Sequence, residues 1–594
     1  MPDTPHPRVN GETAISSATI GKEQVVLSSY RDDRWFLPNS NTNYGEGKST
    51  LDFQKIPEPY REALKQAVHN WITGRTALPT PASGTVAAAF MKMRIFLTYI
   101  SGEGVNTLRD ISEANYEKYV AVVCSRKGHG GSAAKEATAI LSLGAVRILH
   151  TISAGSSQPL PEPWPEADLS SLVRPFASAF SPSKQTDVIP DPVLIALFQA
   201  ASEVLAGADK LLDARDVLAQ HRAAGSSLKS ARCRAVLTEA GLGGGRALTQ
   251  ALIDVRTASY IVIASLSGCR NHELAFLEYG AHYTTEVDGV EYHWMKSRST
   301  KGHTGDTEWM IPHAAVVALR VMERWSAPLR VRLGEAINLA RAANPKDVRA
   351  AKASAFSSAI FLSEANGALG MARTMTIDSW SRALRQFCSD HDIPWRLATH
   401  HFRRTFAVLA ARSNIGDLRY LREHFKHWHL DLTLLYALNG HQSSELYEEV
   451  QEELECQQLA LVDVWLNPDT RLSGGAGRSV TAFRQRHPIP LYRTARSMLG
   501  STSGLAHLRS NGHAWCTAGV QDCVGNSGIE RLRCTACKSS VITTEHASFY
   551  AEVYAQQSSL VDLDDIGKAG RERAIRDRDR CAVVLRDLGV PIEG

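Results

Sequence analysis

The sequence predicts a mainly α-helical protein with a small β-sheet. Its parts are an N-terminal helical module, a mixed α/β domain and a small zinc-ribbon-like C-terminal extension. Three observations lead there. Apolar residues recur at helical spacing through most of the chain, as in Ser83 to Ile100, where Val86, Phe90, Met93, Phe96 and Leu97 share one face. Strand-like runs bounded by turn residues are confined to 275–312. A stretch rich in Ser and Pro, Ser156 to Pro190, divides the first helical group from the second. At 594 residues the chain exceeds what one core serves and suits three or four domains.

Residues 1–50 are polar, with Asn, Ser, Gly and Pro scattered through Pro38 to Gly45, and are expected to be irregular. Four amphipathic helices follow at about 58–73, 83–101, 107–126 and 132–152, forming a helical module over 51–155. The linker is 156–190. The second domain, 191–466, begins with a helix at 191–206. A polar, glycine-containing stretch at 207–245 reads as an insertion, and a helix at 246–266 follows. A β-meander is expected from Ala275–Tyr279, 289–295 and 307–312, with a turn across 297–306. A second insertion occupies about 327–372, then a helix spans 376–391. The long helix 442–466 carries Leu446, Val450, Leu454, Leu459 and Val462 on one face, which suits packing in cis or docking on a neighbouring protomer. Residues 467–594 form the C-terminal extension.

Hydrophobic content of 44 % and charged content of 22 % are those of an ordinary globular chain. The net charge of +4 does not announce a nucleic-acid binder. Local charge does: Arg373 to Lys426 holds ten Lys/Arg against five acids, which suits phosphate contacts. No stretch reads as a run of about twenty apolar residues, and the N-terminus lacks an apolar signal core. The expectation is a cytoplasmic protein without a membrane partner.

Two boxes carry chemistry. Ser267-Gly268-Cys269-Arg270-Asn271-His272-Glu273-Leu274 supplies an arginine with a carboxylate three residues on. His400-His401-Phe402-Arg403-Arg404-Thr405-Phe406-Ala407 puts an imidazole and a guanidinium one helical turn apart, and His427 and Tyr436 follow nine residues from each other. Two arginines, two histidines and a tyrosine are the parts for cleaving a phosphodiester without a metal. Arginines clamp the phosphate, imidazoles move protons or donate hydrogen bonds, and the phenol attacks. No G-x-x-x-x-G-K-[ST] occurs, so no ATP site is expected. Taken singly, a tyrosine or histidine such as Tyr436, His401, His424 or His429 is more often a packing or surface group.

This ordered set resembles the tyrosine recombinase (phage integrase) family, across roughly residues 55–450. The resemblance implies catalytic roles for Arg270, His400, Arg403, His427 and Tyr436, with Glu273 as the supporting carboxylate. It implies a lysine general acid in a β-hairpin, for which Lys301 is the first choice and Lys296 the second. It further implies a core-binding role for the helical module, double-stranded DNA as substrate, and a dimer or tetramer on DNA, with accessory recombination proteins as further partners. No cofactor is required for catalysis. The activity implied is site-specific cutting and rejoining through a 3′-phosphotyrosine, mobilising or integrating a genetic element. Alternatives are a type IB topoisomerase and a non-catalytic DNA-binding regulator derived from a recombinase. The chain departs from the family at Phe425-Lys426, where Leu-Gly usually precedes the third-box histidine. Arg404 reads as a DNA-backbone or structural cation.

Six cysteines (124, 233, 269, 388, 456, 581) are scattered singly and read as reduced core thiols. Cys516, Cys523, Cys534 and Cys537 read C-x6-C-x10-C-x2-C, a set suited to structural Zn²⁺ within 510–550. A Cys₃His set using His513 or His546, or four free thiols, are the other readings.

Overall fold

A computed structural model describes residues 9–38, 49–127, 133, 135–165, 167–180, 186–287, 289–299, 305–363, 371–414, 444–486, 508–518, 531–563 and 565–592. Helices dominate, and among the described residues the strands form two three-stranded and three two-stranded sheets.

The described part of the N-terminal segment is not irregular. Strands β1 (Ala14–Ile20) and β2 (Glu23–Ser29) form an antiparallel hairpin, and β3 (Arg34–Phe36) pairs with β4 (Thr50–Asp52). Their few apolar residues are too widely spaced to show a period, yet Trp35, Leu51 and Phe53 are fully buried. They complete a core shared with α1 (Glu58–Ile72), α2 (Ser83–Gly102), α3 (Glu113–Ser125) and α4 (Glu136–Ser153). That core is packed by Tyr60, Leu64, Phe96, Leu97, Tyr119 and Leu149. The Ser/Pro-rich stretch does not run free after α4. Leu160, Trp164 and Val173, the last ending α5 (Leu169–Val173), enter the same core, and Tyr116 Oη donates to Pro161 O at 2.7 Å. Proline here shapes a segment whose described first part lies against the helices.

A second core begins at Ile189. Around it lie α6 (Asp191–Ala206), α7 (Ala208–Ala223), α8 (Ala231–Glu239), α9 (Gly245–Ser267) and α10 (Asn271–Ala275). The stretch expected as an insertion therefore holds two helices. Ser230 caps the second by accepting from Cys233 N, and Leu218, Cys233, Leu237 and Leu248 close a small core of their own. Helix α9 is the one described helix long and apolar enough to cross a membrane by composition, and its continuous burial from Val255 to Ser267 marks it as the central core helix.

The meander runs β5 (His282–Val287), β6 (Val290–Ser299) and β7 (Gly305–Met310), all antiparallel in that order. The strand expected at Ala275–Tyr279 is absent: Ala275 ends α10, and only Glu278 forms an isolated bridge, to Ala359. Helix α11 (His313–Ala343) passes Pro328 without ending, and α12 (Val348–Ser354) follows. The expected second insertion is thus largely helical. It packs Leu333, Ile337 and Ala350 against Ile20 and Val25 of the first hairpin. After β8 (Leu362–Ser363) and β9 (Arg373–Thr374) come α13 (Ile377–Asp390), α14 (Thr399–Asn414) and α15 (Ser444–Leu466). Helix α15 packs in cis, Val450 meeting Ala407, Ala410 and Ala411 of α14.

The extension contains α16 (Gly475–Arg486), the sheet of β10 (Arg509–Ser510), β11 (Trp515–Cys516) and β12 (Ser540–Val541), then α17 (Ala547–Val561) and α18 (Gly567–Leu588). Two apolar clusters hold it, one around Trp465 and Trp515, the other around Tyr550, Val584 and Leu588. Cys516 lies on β11 and Cys534 and Cys537 lie beside the sheet, while Cys523 falls outside the described residues. Among the described residues no group of three or more His, Cys, Asp or Glu side chains is placed to hold a metal ion. The ribbon expected around zinc is here a sheet and helical pair with apolar cores.

Candidate active site

The first box is built where α9 turns into α10. Gly268 closes α9 in the left-handed conformation, φ +67°, its N–H donating to Ala264 O. Arg270 then begins α10, and its backbone N–H donates to Glu273 Oε2 at 2.6 Å. Glu273 Oε1 stands 3.4 Å from Arg270 Nη1, so the carboxylate holds both the backbone and the guanidinium of the arginine. Glu273 is fully buried, and its carbonyl accepts from Ser297 Oγ of β6. Tyr260 Oη donates to Asn271 Oδ1 at 2.9 Å, tying the box back to α9. Cys269 is no nucleophile: burial, then the charge of Glu273, pushes its thiol well above the ordinary range.

Helix α14 carries the second box. Trp395 Nε1 and Ala398 N both point at His401 Nδ1, so this imidazole fastens the start of the helix. Phe402, Phe406 and Leu409 face the core and set the helix rotation. Thr405 Oγ1 accepts from Ile189 N, and Arg412 pairs with Asp191 at 2.9 Å, fixing α14 to the entry of α6.

Arg403, 6 % exposed, reaches across to the first box and donates from Nη1 to Gly268 O at 3.3 Å. Its Nε lies 3.0 and 2.9 Å from the two carboxylate oxygens of Glu449 on α15. Arg270 Nη2 lies 3.8 Å from Glu449 Oε1. Two guanidinium groups from boxes more than a hundred residues apart thus converge on one carboxylate. Nη2 of Arg403 is buried with no hydrogen-bond acceptor among the described residues. His400 stands one turn before Arg403 and keeps an edge toward solvent. Partial withdrawal from water, then Arg403 and Arg270, hold its pKa below the usual imidazole value, with Glu449 acting in the opposite sense. This favours the neutral imidazole, the form able to accept a proton.

Arg404 also reaches α15, pairing with the buried Glu453 at 2.6 Å one turn beyond Glu449, so it joins α14 to α15. Lys296 is half-exposed, 3.6 Å from Glu308 and over the Tyr283 ring. Its neighbour Ser297 is the one that faces the first box, and side chains alternate along a strand, so Lys296 faces away. Lys301, His427 and Tyr436 lie outside the described residues. The structure thus brings together Arg270, Glu273, His400 and Arg403 of the expected set. Reading the sequence missed Glu449. The signal for it was present: Glu445, Glu448, Glu449, Glu452, Glu453 and Glu455 form an acidic run on the helix that follows the basic stretch.

Among solved structures, the chain is similar to the XerH site-specific recombinase bound to difH substrate as a pre-cleavage complex, at 13 % identity over 60 % of this chain and 76 % of that one, with a TM-score of 0.30. It is also similar to XerH in a post-cleavage complex on palindromic difH, at 12 % identity over 68 % and 92 % of the two chains, TM-score 0.31. A third is the XerA recombinase, at 16 % identity over 66 % and 97 %, TM-score 0.19. No protein-family model and no curated protein matches the chain.

Proposed function

We propose that this chain is a site-specific DNA strand-transfer enzyme that cuts and rejoins DNA through a covalent phosphotyrosine. The observation that carries the reading is the convergence of Arg270 and Arg403 on a single anionic group, one helical turn from His400. Two planar forks meeting at one point suit the non-bridging oxygens of a phosphodiester, on which charge grows as the phosphorus becomes five-coordinate. In this reading Tyr436 Oη attacks phosphorus and gives its proton to His400. The bond to the 5′-oxygen breaks, and Lys301 supplies the proton that leaves with it. The products are a 3′-phosphotyrosine and a 5′-hydroxyl. Attack by the 5′-hydroxyl of another strand reverses the step and frees the tyrosine. The bond energy is kept in the phosphotyrosine, so the step consumes no nucleotide. His427 is the second donor to the phosphate, and the enzyme works as an oligomer on double-stranded DNA.

The test is covalent capture. Purified chain is incubated in EDTA with a library of random-sequence duplexes, each nicked a few nucleotides from every scanned position, and adducts are read on a denaturing gel. The modified residue is then located by mass spectrometry. The reading stands if DNA is joined at Tyr436 and Tyr436→Phe forms no adduct while still binding duplex. It falls if the Phe variant is labelled equally well or if adducts require added Mg²⁺.

A further inference from the structure

We propose that Glu449 is a resident ligand of the arginine pair, holding the place of a phosphodiester and exchanging with it. The Glu449 side chain, carried on a fixed helix α15, then gates the site. The proposal rests on the reading that Arg270 and Arg403 bind the phosphate. A guanidinium as buried as that of Arg403 is unstable without an anion, because leaving a buried charge unpaired is strongly destabilising. The anion seated there is Glu449, with both of its oxygens on Nε of Arg403.

The fit is incomplete in a way that favours exchange. The same carboxylate only approaches Arg270, at 3.8 Å, which is an ion pair without hydrogen-bond contact. Nη2 of Arg403 stays without an acceptor among the described residues. A carboxylate offers two oxygens in one plane and here spends both on one nitrogen. A tetrahedral phosphodiester presents its two free oxygens at a wider angle and can serve each arginine with one. The side chain of Glu449 is 38 % exposed while that of Arg403 is 7 %, so the carboxylate can return to water but the guanidinium cannot. Helix α15 does not depend on this contact. Glu453 holds Arg404, and Leu446 and Val450 are buried against the catalytic core.

The experiment measures binding of inorganic phosphate by calorimetry to the full chain, to Glu449→Gln, to Arg403→Ala and to the double variant. Glu449→Gln removes the competing charge and keeps the shape. It is expected to bind phosphate about tenfold tighter, the scale of one charge-assisted hydrogen bond. That gain is expected to vanish in the double variant. Glu449→Asp, shorter by one methylene, is expected to fall between, and it guards against a local folding fault in the Gln variant. Equal phosphate affinity in the full chain and Glu449→Gln, with loss in Arg403→Ala, overturns the exchange and leaves the arginine site standing. Weaker binding by Glu449→Gln also overturns it, since the carboxylate then orients the arginines rather than competing. No phosphate dependence on Arg403 at all defeats the reading of the site, and the proposal with it.

Discussion

Gly268 and Phe406 touch without room for a methyl group between them. A Cβ on Gly268 would lie 2.5 Å from Phe406 Cδ1 and 2.8 Å from Cγ, and the residue is also left-handed at φ +67°. This contact joins the end of α9 to the middle of α14, three residues from Arg403, whose Nη1 bonds the Gly268 carbonyl. The separation of the two arginines is therefore set by a glycine. Gly268→Ala is expected to lose about 2–5 kcal/mol of stability from the left-handed strain and the overpacked ring together. It should also lose covalent capture of DNA beyond what unfolding explains. Urea melts and adduct yield at a temperature where the variant is folded check both, and adding Phe406→Leu is expected to recover part of the stability.

Arg403→Lys keeps the charge and loses the fork. A lysine ammonium cannot bond Gly268 O and an anion beyond it in the same plane. The expected result is a fall of about a hundredfold or more in adduct formation, with duplex binding reduced far less. Single-turnover cleavage beside gel-shift binding separates the two. A lysine variant with normal cleavage means that the planar contacts are structural.

The pKa of His400 is lowered, so its proton is lost below the ordinary imidazole value of about 6.5. If it is the base for Tyr436, cleavage stays flat on the acid side of neutrality and declines only as pH falls toward that depressed value. The stability link has the same sign. The unfolded chain binds this proton more readily, so the stabilising share is complete above the unfolded pKa and is lost as pH falls through the folded one. His400→Gln is expected to remove the acid limb of the pH–rate profile and to flatten the pH dependence of the melting temperature just below the ordinary imidazole value of about 6.5.

What could be read in advance follows from the range over which each feature is encoded. Gly268, Arg270 and Glu273 are a local unit: a left-handed cap and a carboxylate three residues on, both visible as residue types at fixed spacing. The same holds for His400 and Arg403. Trp35 and Leu51 belong to strands whose partners and core lie elsewhere in the chain, so no local period announced them. Residues 207–245 read only as a polar insertion because their glycines and polar residues outweighed two short apolar faces that meet only once α9 is present. Glu449 needed the tertiary fold. An acid on an exposed helix is usually solvated, and only the packing of Val450 against Ala407 and Ala411 turns it toward the arginines.

The two lysines can be separated by their leaving-group chemistry. Lys296 is engaged with Glu308 across the β6–β7 pair and points away from the first box. Lys296→Ala is therefore expected to cleave normally. Lys301, between those strands in sequence, is expected to be needed for an ordinary duplex and dispensable for one with a 5′-bridging phosphorothiolate, whose sulfur leaves without a proton. Rescue of Lys296→Ala instead of Lys301→Ala would move the acid to Lys296.

The cysteines of the extension offer the last test. Cys516, Cys534 and Cys537 surround the β10–β12 sheet, and Asn511 Nδ2 donates to Cys534 Sγ at 3.3 Å. The turn from Cys534 to Cys537 is clasped from outside: Ser540 Oγ and Gly475 N both donate to Cys537 O, and a Cβ on Gly475 would lie 2.4 Å from that oxygen. As they stand these three thiols form no group that could hold a metal ion; if they draw together with Cys523 on binding zinc, purified protein carries about one Zn²⁺ per chain. Cys534→Ser with Cys537→Ser then releases it. A small domain held by metal alone unfolds on such a loss. Here Tyr550, Cys581, Val584 and Leu588 form an apolar cluster between α17 and α18, against which Cys534 is the one described residue of the proposed set to pack. Loss of metal is therefore expected to increase hydrogen exchange around 510–541 while protection persists in 574–588. Metal analysis of protein purified in reductant without chelator decides the first half. Less than a tenth of an equivalent of zinc would return all four cysteines to ordinary thiols.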